Sequence, residues 1–354
     1  MTAERAASFC QRFQLRCPLL MAPMAGACPP GLAAAVARAG GMGACGALLM
    51  QPAEMLAWAH SFREQTDGPL QINLWIPDPP PARDPHHEAQ LRSFLSDWGP
   101  PVPQSAADAP PPPFEAQCEA LLEIAPAVVS SIMGLYSASF VEQLKARGIA
   151  WFATVTTVRE ARAAEAAGAD GLIAQGMEAG GHRGTFDAGR ADRELVGLFA
   201  LLPAVVDAVA LPVVATGGIA DGRGVAAALT LGASAVQIGT ALLRCPEAQT
   251  HPAWADAIAR TAPEATVLTR AFSGRWGRSI ETAYVRAAAT PAAPAPAPYP
   301  VQRGLTAPLR KAAVASGDLE RMQVWAGQSA TLARAEPAGA AIERIWRDAQ
   351  QLLR

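Results

Sequence analysis

Lysine is scarce in this chain. Of the 29 basic residues only Lys145 and Lys311 are lysines, and all others are arginine. A Schiff-base or P-loop lysine would have to be one of these two, and neither lies in a G-x-x-x-x-G-K-[ST] motif. Charge of either sign is sparse: charged residues make up 17% of the 354, and the net charge is −2. No basic run stands out, which argues against a nucleic-acid partner. No apolar stretch reaches the roughly 18 uncharged residues that span a bilayer, so no membrane segment is expected. The N-terminal MTAERAASFCQRFQL has no apolar core of a secretory signal, and the expected location is cytoplasmic. Cys10, Cys17, Cys28, Cys45, Cys118 and Cys245 form no C-x-x-C pair. Reduced, partly buried thiols are expected rather than a metal site or a disulfide framework. Aromatics are only 6%, while alanine supplies much of the 51% hydrophobic content, which reads as a helix-rich core.

What is present is a rhythm. Short apolar runs alternate with alanine-rich helical patterns, and the runs predict strands at Leu19–Ala25, Gly43–Leu49, Leu70–Ile76, Val128–Met133, Trp151–Val155, Gly171–Gln175, Pro212–Thr216 and Ala235–Ile238. Helices closing in glycine shortly before the next strand recur at 37–46, 145–155, 164–176 and 228–239. Eight strands with intervening helices predict an α/β fold, a (β/α)8 TIM barrel over residues 1–245. Two segments break the rhythm. Residues 77–113 carry twelve prolines and read as a long insertion of polyproline character after the third strand, on the catalytic face; a surface insertion without a role is the alternative. Residues 287–302, AAATPAAPAPAPYPVQ, read as a stiff linker inside a smaller, mostly helical C-terminal domain, 246–354, with a helix near 253–261, a strand pair within 266–284 and helical residues 305–354.

Three motifs bear on chemistry. Gly41-Met42-Gly43-Ala44-Cys45-Gly46 matches G-x-G-x-x-G but follows a helix and enters a strand, the reverse of a dinucleotide fingerprint. The seventh and eighth runs end in Gly217-Gly218 and in Gln237-Ile238-Gly239-Thr240, and Asp221 opens the helix between them. In phosphate-binding barrels these two loops cradle the phosphate with backbone N–H groups, and Thr240 adds a hydroxyl donor; ordinary tight turns are the alternative. The third motif, Gln175-Gly176-Met177-Glu178-Ala179-Gly180-Gly181-His182-Arg183-Gly184, closes the sixth strand. Of five histidines only His182 sits in a glycine frame at the barrel rim, and imidazole suits proton abstraction from a weakly acidic carbon.

Ala22-Pro23-Met24-Ala25-Gly26, Asn73, the QGMEAGGHRG block, ATGGI, QIGTALL and Trp325-Ala326-Gly327-Gln328 occur in the order seen in nitronate monooxygenases, formerly called 2-nitropropane dioxygenases, and the chain resembles that family over nearly its whole length. Related FMN-dependent enoyl-acyl-carrier-protein reductases carry a similar E-A-G-G-H block. The resemblance implies a TIM barrel with non-covalent FMN. It implies that Ala22, Pro23 and Met24 line the flavin ring, that Asn73 and Gln175 bond its polar edge, and that Gly180 and Gly181 allow close approach. Gly217, Gly218, Gly239 and Thr240 would hold the phosphate, Gln237 would also bind the cofactor, and Trp325, Gly327 and Gln328 would return to the flavin from the C-terminal domain. Core packing remains open for Met24 and Trp325, and strand-end capping for Asn73 and Gln175. His182 would be the base that turns a nitroalkane into a nitronate, which oxygen then converts to a carbonyl compound and nitrite. Arg275 and Arg278 resemble a family motif, with anion steering near the substrate or plain surface charge as the two readings, and Tyr299 resembles a family Tyr-Pro that would sit at the site mouth. Partners would be a small-molecule substrate and O2, with a homodimer left open and no metal.

One motif departs from the family. Many relatives end the fourth strand Ser-Phe-His-Phe-Gly, whereas this chain has Ser130-Ser131-Ile132-Met133-Gly134 and lacks the second histidine. That departure keeps an FMN-dependent NAD(P)H oxidoreductase, acting on an enoyl thioester or a quinone, as the alternative. A non-catalytic barrel that binds a phosphorylated metabolite is the third reading.

Overall fold

The computed structural model describes residues 2–108 and 110–354. The eight expected strands all form: β1 Leu19–Met21, β2 Gly43–Gly46, β3 Leu70–Trp75, β4 Val128–Ile132, β5 Ala150–Val155, β6 Gly171–Gln175, β8 Val213–Thr216 and β9 Ala235–Ile238. All pair in parallel in the order β1-β9-β8-β6-β5-β4-β3-β2. The ring closes between its ends, where Met42 N–H donates to Leu19 O at 3.0 Å and Met21 N–H to Met42 O at 2.9 Å. The result is a (β/α)8 barrel with helices between the strands. A further two-residue strand, β7 Gly181–His182, lies outside the ring in a three-stranded antiparallel sheet with β10 Thr266–Thr269 and β11 Gly277–Ile280.

Side chains alternate along a strand, so every second residue points into the barrel. The lowest inward layer is apolar and includes Leu20, Met42, Phe152, Ile173 and Val214. The helix Thr2–Phe13 plugs it from below: the Phe13 ring meets Phe152 edge-on at 5.4 Å, and Phe9 lies 6.0 Å from Phe152. Deleting one such buried ring costs about 3–5 kcal/mol. The next layer is polar. Gln71 Nε2 donates to Ser130 Oγ at 3.0 Å and to Gln237 Oε1 at 3.2 Å.

The proline-rich segment departs from expectation. It contains the helix Pro85–Ser96 and a 3-10 turn Gln104–Asp108 instead of one polyproline loop. Pro85 occupies the first turn, where its missing N–H costs no bond, and Asp84 Oδ1 accepts from His86 N–H and His87 N–H at 3.0 Å each. Leu91 and Leu95 of this helix share a second apolar core with Phe272, Tyr284, Val301, Leu305 and Leu309. The insertion and residues 271–309 of the C-terminal region together thus form a roof beside the barrel mouth.

Beyond residue 245 the expected helix forms as Pro252–Arg260 and the strand pair as β10 and β11. Residues 305–354 are not continuously helical: Ala307–Ser316 and Ala338–Leu352 are the main helices. Between them runs irregular chain, with a bridge from Trp325 to Ser279. The last helix packs on the barrel helices Pro30–Arg38 and Gly222–Thr230. Among the described residues, no helix is long and apolar enough to cross a membrane.

Candidate active site

The inward layer nearest the carboxyl ends of the strands forms a cavity of about 370 Å³, within the range of small-molecule and cofactor sites, roughly 300–1,000 Å³. Period-two alternation decides which residues reach it. Asn73 and Trp75 stand above Gln71 on β3, Ile132 above Ser130 on β4, Thr154 above Phe152 on β5, and Gln175 above Ile173 on β6; all five upper residues line the cavity. Asn73 Nδ2 is tied to Ser130 Oγ at 3.0 Å and to Ser130 O at 3.2 Å. Gln175 is held at both ends. Its Oε1 accepts from Gly184 N–H at 2.8 Å and Arg183 Nη1 at 3.3 Å, and its Nε2 donates to His182 O at 3.0 Å.

His182 sits at the rim because β7 pairs with β11, opposite Gly277. Its Nε2 lies 2.7 Å from Ser273 Oγ. Its ring stands between two indoles, with centroids 4.7 Å from Trp75 and 4.8 Å from Trp325. Removal from water, followed by the positive charges of Arg275 and Arg303, pushes the imidazole pKa down to about 3. The ring is therefore neutral at physiological pH.

Among the described residues no aspartate or glutamate lines the cavity, while Arg303 and Arg310 do. Among the described residues neither arginine has a carboxylate within 4.0 Å. Burial and the charge of Arg303 depress the Arg310 pKa to about 10, and burial lowers that of Arg303. The site is an electropositive pocket in a chain of net charge −2.

The opposite end is built of glycine. Gly217 and Gly218 have φ of +111° and +70°, conformations that other residues rarely adopt. A Cβ at Gly180 would fall 2.5 Å from Gly327 N, so this close approach requires glycine. Thr240 Oγ1 accepts from Gly327 N–H at 3.0 Å, which leaves its own O–H free to donate. The N-terminus of the helix Gly222–Thr230 is already capped: Asp221 Oδ1 takes Arg223 N–H at 3.0 Å and Gly224 N–H at 3.2 Å. The turn Thr240–Leu242 after β9 has no such side-chain cap.

The residues picked out by sequence converge here. His182, Ala22, Pro23, Met24, Asn73, Gln175, Gly180, Gly181, Gly217, Gly218, Gln237, Gly239, Thr240, Tyr299, Trp325 and Gly327 all line the one cavity. Three others do not. Gln328 lies beside it, its N–H donating to Glu178 O at 3.0 Å. Arg275 is spent on Asp78, with Nε donating to Oδ2 at 2.8 Å. Arg278 is buried and clasps Met177 O at 2.9 Å and Thr266 O at 3.1 Å. Sequence reasoning missed Trp75, Thr154, Ser273, Arg303 and Arg310. Counting by twos from Asn73 reaches Trp75, but nothing local marks Arg303 and Arg310, whose helices arrive through the roof.

The nitronate monooxygenase family model matches residues 8–348. The chain belongs to the nitronate monooxygenase family. It is 40% identical over 344 residues to a nitronate monooxygenase of Paraburkholderia phytofirmans, a match covering 94% of this chain and 92% of the other. The crystal structure of nitroalkane oxidase from Streptomyces ansochromogenes superposes with a TM-score of 0.88 at 37% identity, covering 97% of this chain and 98% of that one. FabK from Thermotoga maritima superposes with a TM-score of 0.76 at 30% identity, covering 98% and 96%. The chain is thus an oxidoreductase of the monooxygenase type.

Proposed function

We propose that this nitronate monooxygenase family member oxidises nitronates and nitroalkanes with FMN and O2, yielding a carbonyl compound and nitrite. The observation that carries this reading is the pairing of a neutral His182 with Arg303 and Arg310, which have no carboxylate partner among the described residues, on a cavity that no described carboxylate lines. A nitronate is an anion, and unpaired guanidinium groups favour it over neutral competitors.

The residues fit FMN. Ala22, Pro23 and Met24 offer an apolar wall for a flat ring, Asn73 and Gln175 a polar edge, and Gly217, Gly218, Gly239 and Thr240 a phosphate cradle. In this reading the segment after residue 245 is a smaller domain that covers the site and returns Trp325 and Gly327 to it. Bound FMN would supply electron acceptance and the reaction with oxygen. The chain's part is to bind, orient and move one proton. His182, steered by Ser273 and clamped by the two indoles, takes the α-proton of a nitroalkane. Arg303 and Arg310 hold the resulting negative charge. The test is oxygen uptake and nitrite release by FMN-loaded protein given ethyl nitronate; absence of both in a folded, yellow protein overturns the reading.

A second reading, an FMN-dependent NAD(P)H oxidoreductase, draws on the FabK likeness and on Ile132-Met133 where many relatives carry histidine and phenylalanine. Bleaching of the flavin by NADH or NADPH without air would favour it.

A further inference from the structure

Arg183 is an anomaly in the interior. It is 2% exposed, yet Nε and Nη2 have no hydrogen-bond partner. Among the described residues no carboxylate lies within 4.0 Å of it. Only Nη1 is engaged, donating to Gly176 O at 2.9 Å and Gln175 Oε1 at 3.3 Å. Glu160 and Glu178 act on it only from beyond ion-pair distance. Burying a guanidinium without a direct ion pair is costly, and an apolar side chain of similar length would avoid that cost. The next carbonyl along, Met177 O, is taken by the equally buried Arg278. The carboxyl end of β6 therefore carries two guanidinium groups directly behind the cavity wall.

The consequence falls on Gln175. An amide can face a cavity with its oxygen or its nitrogen. Here two donors, Arg183 Nη1 and Gly184 N–H, occupy Oε1. Nε2 donates one hydrogen to His182 O and keeps the second. Gln175 can therefore offer the cavity a hydrogen-bond donor, with a positive charge one side chain behind it.

We propose that Arg183 is a positioning residue that fixes Gln175 as a donor and sets a positive field on the cavity, favouring the reduced, more negatively charged state of a bound flavin over the oxidised state. This rests on the FMN reading above. A flavin gains negative charge on reduction, and nearby protein charge is one of the ways a protein tunes its electronics.

The test uses full-length protein loaded with FMN and needs no substrate. The dissociation constant of oxidised FMN is measured by fluorescence titration. That of reduced FMN follows from the midpoint potential of the bound flavin. Arg183→Met is expected to weaken reduced FMN at least tenfold more than oxidised FMN, a fall of about 30 mV in the two-electron potential. Arg183→Lys, which keeps the charge, is expected to retain most of the wild-type ratio. Equal weakening of both states, or no change in the ratio, overturns the inference, because a purely structural arginine would act on both alike. Should Arg183→Met fail to fold, Arg183→Gln, which keeps a donor for Gly176 O, carries the same comparison. Failure of both neutral variants to fold also overturns it, since the guanidinium would then serve the fold itself. A wild-type chain that takes up no FMN overturns the cofactor reading, whereas intact FMN affinity with an unchanged ratio overturns this inference alone.

Discussion

The barrel carries a hollow at each end, and the larger one, beside the helix that plugs the amino ends, carries less chemistry. The groove at the amino ends of the strands measures about 610 Å³, against about 370 Å³ for the cavity at the carboxyl ends. Arg12, Arg63 and Lys145 line the larger groove, each in the last turn of its helix, where a cation complements the helix dipole. Arg12 pairs with Asp170 at 3.3 Å, and Arg63 Nη1 donates to Gly68 O at 2.7 Å. Arg12 and Arg63 are thus spent on the fold, while Lys145 has no ion pair among the described residues. At the other end, among the described residues, Arg303 and Arg310 have no carboxylate, Arg310 bonding only Thr306 Oγ1 and Arg303 O, and an imidazole is held neutral between two indoles. Volume does not separate the two ends; a neutral imidazole beside two arginines that lack a carboxylate does.

That contrast can be broken in several ways. The largest effect is expected at His182. His182→Ala should lower oxidation of neutral nitroalkanes by about 10²-fold or more, the usual worth of a positioned base, while preformed nitronates lose far less. Paired oxygen-uptake assays with nitroethane and ethyl nitronate check this, and equal losses would remove the base role. Next, Arg303→Met combined with Arg310→Met should raise KM for a nitronate by about ten- to a hundredfold, since even one hydrogen bond to a charged group contributes roughly 1.5–3 kcal/mol. An unchanged KM would make those arginines as structural as Arg12.

The pH response is smaller. Burial and the charges of Arg275 and Arg303 push the His182 imidazole down to about 3 in the folded chain, against an ordinary value of 6.5. Between those values the unfolded chain binds a proton that the folded one refuses. Stability from this residue is thus full above about pH 6.5 and falls as pH drops towards 3. Melting curves of the protein without cofactor should show this acid limb flattened in His182→Asn. For the same reason kcat/KM should show no His182 inflection between pH 5 and 8. The smallest effect is expected at the other end: Arg12→Ala should cost at most about 1 kcal/mol, as an exposed ion pair does, and leave turnover unchanged.

Much of this was legible in the sequence, for physical reasons that can be named. The eight strands follow from apolar runs that a parallel barrel buries on both faces. The glycine cradle follows from Gly217, Gly218 and Gly180, where backbone geometry or close approach requires glycine. What escaped depends on contacts between distant segments. Counting prolines concealed the helix Pro85–Ser96, because proline at the first turn starts a helix as readily as it breaks one. Arg275 and Arg278 were picked as substrate groups, but Asp78 and the carbonyls of Met177 and Thr266 lie far away in sequence and occupy them. Arg303 and Arg310 gain their setting only when the roof folds over the mouth.

The central claim is that the electropositive cavity serves a nitronate. Its most direct test is anaerobic mixing of FMN-loaded protein with ethyl nitronate and, separately, with NADH or NADPH, following flavin absorbance. The expected result is rapid bleaching by the nitronate and none by the nicotinamides. Bleaching by NADH or NADPH alone, with the nitronate inert, would contradict the account.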